Sequence, residues 1–126
     1  MAKRLNMTPV WRKYDEELSV RVRRVPLSRL FDIAEGTPLE AVFAGEADAA
    51  EIRFDAKVAL RLALDFFEEA VLEWTMEDEA GKPLAPSREA ADLVMTDEPD
   101  FMAWLIEAVM VPTVAAAQDE EAEKNG

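Results

Sequence analysis

The chain has no cysteine, no histidine, a single tyrosine and only four glycines in 126 residues. Without cysteine, no disulfide can hold the fold and no thiolate can serve as nucleophile or metal ligand. Without histidine, the commonest general base and transition-metal ligand is missing too. No glycine-rich loop is present to cradle a phosphate. Carboxylates are plentiful, but Asp65, Glu69 and Glu73 recur at helical spacing on a face that reads as solvated, where nothing would raise a pKa for acid catalysis. The run Glu77-Asp78-Glu79 lacks the alternation of a calcium loop, and Asp97, Glu98 and Asp100 read as charges that favour a helix N-terminus. The expectation is therefore a protein that is not an enzyme, with no cofactor and no metal site. Long apolar runs are absent as well: none reaches the roughly 18 residues of a spanning helix. The basic start Met1-Ala2-Lys3-Arg4 is not followed by an apolar signal core, so a cytoplasmic protein with no membrane partner is expected.

What the chain does have is acid. Fourteen basic side chains face 27 acidic ones, a formal charge of -13. Such a charge repels the nucleic-acid backbone, which argues against a nucleic-acid partner, and it keeps a protein with exposed apolar surface dispersed. The imbalance is uneven. Lys3, Arg4, Arg12, Lys13, Arg21, Arg23, Arg24 and Arg29 stand against only Asp15, Glu16 and Glu17 in the same stretch. A basic N-terminal region lying on an acidic body would be partly self-neutralising, or would pair one copy with another, so a homo-oligomer stays open. Charges along a solvated strand edge are the simpler account.

Half of the residues are apolar and a third are charged, which suits one globular domain, here placed at 1-112. Leu18, Val20 and Val22 alternate with Ser19, Arg21 and Arg23 in the period of a half-buried strand, with Val10-Trp11-Arg12-Lys13-Tyr14 as its hairpin partner. The pattern does not say whether the strands pair within one chain or between two. After Pro26, Ser28 is expected to cap a short helix over Arg29 to Glu35, stopped by Gly36, and Thr37-Pro38-x-Glu40 reads as a capping box for another that stops near Gly45. A main helix is expected from about Glu46 to Trp74, with Ile52, Ala56, Leu60, Ala63, Leu64, Phe67, Ala70, Val71 and Trp74 on its apolar stripe. Phe54, Val58 and Leu72 fall on the opposite arc. Gly81, Pro83 and Pro86 then enforce a turn, and Ser87 restarts a helix over Arg88 to Met95. The fold class expected is mainly α with a short N-terminal β-hairpin (α+β): one long central helix packed by shorter helices.

A last helix opens at Pro99 and runs to about Val111, and Glu107 is its only interior charge. A helix apolar nearly all round is either core or an exposed strip that meets a partner. On the second reading, Phe101, Met102, Leu105, Ile106, Val109 and Met110 are the candidate client-binding residues, because methionine-bearing faces adapt to varied surfaces. The remainder, 113-126, is expected to be an acidic, disordered tail.

Two stretches carry a resemblance. Trp74, the acidic run after it, Gly81-Lys82-Pro83-Leu84, Pro86 and a following short helix resemble a segment of the tail assembly chaperones of long-tailed bacteriophages. The run Val25 to Leu39, a basic and apolar strand leading into a short helix and a Gly36-Thr37-Pro38-Leu39 turn, is similar to an upstream part of the same family. The resemblance implies a chaperone that works in the host cytoplasm and is absent from the mature virion. Its partners would be the hydrophobic, helical tape measure protein, which it keeps soluble, and the tail tube protein. The competing expectation is an acidic inhibitor or nucleic-acid mimic that occludes a basic cleft. The family also implies a shorter and a longer, frameshifted product from one start. Glu123-Lys124-Asn125 can be encoded as GAA AAA AAC, a slippery run, which would make this chain the shorter form. Sequencing the gene tests it: the run should be intact and followed by an open frame one nucleotide back, and codons that interrupt it would exclude slippage there.

Overall fold

A computed structural model describes residues 2-5, 7-48, 53 and 55-110. The expectations for Ile52, Phe54 and the tail 113-126 lie outside the described residues. The fold is α+β, as expected. Strands β1 (Val10–Lys13) and β2 (Ser19–Val22) pair antiparallel, with Val10 opposite Val22 and Lys13 opposite Ser19. The connection has neither glycine nor asparagine, and Asp15 closes it instead. Its carboxylate accepts the amides of Glu17 and Leu18 at 2.8 and 2.7 Å, an aspartate side chain standing in for a backbone turn. Leu18, Val20 and Val22 are buried, as the alternation requires.

Helix α1 (Leu27–Ala34) begins directly after Pro26, and no side chain caps it, so Ser28 does not have the role expected of it. Gly36 stops the chain in the left-handed region at φ +77°. Thr37 joins α1 to α2 (Leu39–Phe43): its hydroxyl donates to the Ala34 carbonyl at 2.6 Å and accepts the Leu39 amide at 3.2 Å. Glu40 reaches back to the Gly36 amide, one residue earlier than in a standard capping box.

The main helix is shorter than its periodicity suggests. Helix α3 covers Ala56–Ala70, with Asp55 accepting the Lys57 amide as its cap, and residues 46-48 are not helical. At its other end α3 passes without a loop into strand β3 (Val71–Trp74). This strand pairs antiparallel with β2, giving the order β1-β2-β3. Glu73 faces Arg21 and Trp74 faces Val20; the register then slips so that Val71 faces Val22 and Leu72 is left over as a bulge. Val71 and Trp74 continue the helical stripe of Phe67 and Ala70, so local periodicity cannot see this change. The free edge of β2 and the β-branched Val71 decide it.

Beyond β3 the chain folds back. The Leu84 amide donates to the Met76 carbonyl at 2.9 Å, Glu77 bridges to Pro83, and Gly81 turns at φ +78°. The Trp74 indole N–H donates to the Leu84 carbonyl at 2.6 Å and its ring meets Phe67 edge-on at 5.0 Å. Helix α4 (Arg88–Asp97) starts at the Ser87 cap, whose hydroxyl accepts the Ala90 amide, and α5 covers residues 100-110. The core joins Val20 and Val22 of the sheet, Leu30 of α1, Leu62, Phe66 and Phe67 of α3, Ala91 and Met95 of α4, and Phe101, Leu105 and Val109 of α5.

Trp74 is 8% exposed, so Trp74→Ala removes a large buried ring and leaves the Leu84 carbonyl without its donor. Denaturant unfolding should show a loss of about 3 to 5 kcal/mol. A loss below about 1 kcal/mol would mean that the indole does not close the core.

Candidate partner-binding surfaces

Helix α5 is core, the first of the two readings its composition allows, so the six candidate client-binding residues do not form an exposed strip. Phe101, Leu105, Ile106 and Val109 are buried, and Met102 and Met110 are half-buried against the same cluster. The hairpin covers this helix. Tyr14 sets its ring edge-on to Phe101 at 5.3 Å and to Trp104 at 5.2 Å, and Phe101 stacks on Trp104. A helix apolar on every side has thus found several neighbours, which leaves no continuous strip of those six residues for a partner.

The exposed apolar surface is elsewhere. Leu27 and Phe31 of α1 are 52% and 48% exposed. Phe31 meets Phe43 of α2 edge-on at 5.3 Å, and the two rings with Ala34 and Ala44 line a depression of about 420 Å³ whose polar rim is Asp32, Glu35 and Glu40. Leu30 and Ala34 of the same helix are buried, so Leu27 and Phe31 occupy its outward face. Alternate-face leucine and phenylalanine in a short helix was the signal available.

A second groove, of about 330 Å³, lies where the β1-β2 turn, the Gly81 turn and α4 meet. Tyr14, Leu18, Met76, Leu84, Ala90, Leu93 and Val94 supply its apolar lining, and Asp15, Glu17, Glu77, Asp97 and Glu98 supply every charge on its lining. Leu93 stands 65% exposed at this groove.

Three basic side chains of the N-terminal stretch pair with carboxylates of α3 and β3. Arg23 reaches Glu69 at 2.7 Å, Arg29 reaches the same carboxylate at 3.1 Å, and Arg21 faces Glu73 at 3.6 Å across the sheet. The hydrogen bond from Arg29, with the charge of both arginines, holds Glu69 below the usual carboxylate range despite some desolvation. Arg88 ties α4 to α3 through Asp65 and Glu68. The carboxylates read as a solvated face of α3 therefore brace the sheet, α1 and α4. Among the described residues, no three carboxylates are grouped to hold a metal ion, and no helix is long and apolar enough to cross a membrane.

Fold and surface together give, among the described residues, an α+β structure with apolar depressions rimmed by acid. No protein-family model, curated protein or solved structure matches this chain.

Tyr14 donates its hydroxyl to Glu98 at 2.7 Å. That bond first, then burial and the neighbouring carboxylates, pushes its pKa from 10.0 up to about 12. The stabilisation is complete below pH 10 and is lost as pH rises from there toward 12. As the chain has one tyrosine, its tyrosinate absorbance reports this group alone. The midpoint should lie near 12 and drop toward 10 in Glu98→Gln; a wild-type midpoint near 10 would mean that the bond is absent.

Proposed function

We propose that this protein is a tail assembly chaperone of a long-tailed bacteriophage, which holds a hydrophobic helical tape measure protein in solution in the host cytoplasm and is left out of the finished virion. The observation that carries the proposal is the α1-α2 patch of exposed Leu27 and Phe31 beside half-buried Phe43, on a chain of charge -13. A client helix can bury its apolar stripe there while the net charge keeps the complex dispersed. The two stretches that resemble the family support the same reading: one contains α1 and the other the Trp74 turn. Contact therefore moves from the α5 residues expected at first to a surface that needs no unfolding to be reached. The tail tube protein is a second partner, membrane and nucleic acid are not partners, and self-association is compatible with the reading.

Co-expression with the tape measure protein tests this. The client should be soluble with the wild-type chain, and the Leu27→Ser/Phe31→Ser variant should fold yet lose most of that effect. Equal client solubility with and without the protein contradicts the proposal. Salt separates the competing inhibitor or mimic: binding to a basic cleft should fall steeply between low and high ionic strength, whereas apolar client binding should persist.

A further inference from the structure

We infer that the groove between the β1-β2 turn, the Gly81 turn and α4 is a docking site for a basic amphipathic segment of a partner protein, one that sets large apolar side chains on the groove floor and Lys or Arg on its rim. The inference stands on this groove alone and does not depend on the chaperone reading.

The floor is built to stay open. Leu84 is fixed from two sides, its amide on the Met76 carbonyl and its own carbonyl on the Trp74 indole. Asp78 pins the turn beneath it by accepting the amides of Ala80 and Lys82. On the opposite wall Tyr14 is held by Glu98 and by the rings of Phe101 and Trp104. Neither wall needs to reorganise for a ligand, which lowers the cost of binding. Leu93 nevertheless projects from α4 with about two thirds of its surface in water.

The rim decides what fits. Asp15 and Glu98 are used within the fold, by the hairpin turn and by Tyr14. The carboxylates of Glu17, Glu77 and Asp97 have no ion pair or side-chain hydrogen bond among the described residues. Five carboxylates around one apolar floor with no lysine or arginine among its lining residues make a rim that repels an acidic segment. Each cation that a partner brings to it is favoured. A second copy meeting this groove through its own groove is a poorer match, because its α4 and turn would bring the same charges to the contact.

Two synthetic peptides of about five helical turns with one identical apolar face test the inference, one flanked by lysine and the other by glutamate. Fluorescence anisotropy at moderate salt should show the lysine peptide binding at least about tenfold more tightly. Leu93→Ser, and separately Glu17→Lys/Glu77→Lys/Asp97→Lys, should each weaken it by about tenfold or more, while circular dichroism shows both variants folded. Leu27→Ser/Phe31→Ser should leave this binding unchanged, so failure here and failure of the chaperone reading are distinguishable. Equal binding of the two peptides would overturn the inference. So would lysine-peptide binding that ignores both groove variants, or a dimer of the free protein that Leu93→Ser dissolves.

Discussion

The fold depends on the junction at Ala70 and Val71, where α3 becomes β3 with no residue between them. Because there is no loop, the direction of the helix fixes the direction of the sheet. The Arg23 amide bonds to the Ala70 carbonyl and the Arg23 guanidinium to Glu69, so the end of β2 is fastened to the last turn of α3. Phe67 on the helix and Trp74 on the strand then meet across the junction, and the indole reaches Leu84 to anchor the returning turn. Covalent continuity, main-chain bonds and aromatic packing all act at one corner, and each makes the others more effective by removing freedom from the same few residues.

From that corner the two surfaces follow. The turn held by Trp74 forms one wall of the acid-rimmed groove, and α4, which leaves the turn at Ser87, forms another. Helix α1, joined to α3 through the Arg29 and Glu69 pair, presents Leu27 and Phe31 outward because Leu30 and Ala34 are taken up by the core. The acidic charge has two tasks. Part of it is paired inside the fold by Arg21, Arg23, Arg29 and Arg88; another part, with Glu35, Glu40, Glu17, Glu77 and Asp97, lies on the rims.

Features that depend on neighbours in sequence were legible. The alternation around Val20 marks β2, Gly36 and Gly45 mark two helix stops, and Ser87 marks a cap. Features that depend on distant neighbours were not. Val71 to Trp74 fits a helix as well as a strand until β2 offers an edge. Helix α5 reads equally as core or as an exposed strip, because nothing local says that Tyr14, far away in sequence, closes over Phe101. The groove was invisible for the same reason, as its lining comes from the hairpin, a turn and a helix, none of which is unusual alone.

Helix α5 is core while the outer face of α1 is open apolar surface, and one pair of circular dichroism melts separates the two. Leu105→Glu puts a charge where the chain has no solvent and no partner for it, a cost of several kcal/mol and comparable to the stability of a small domain. Leu27→Glu puts the same charge on a half-exposed position. The prediction is that Leu105→Glu loses its cooperative transition while Leu27→Glu melts within a few degrees of the wild type. A folded, cooperative Leu105→Glu protein would contradict the account and return α5 to the surface.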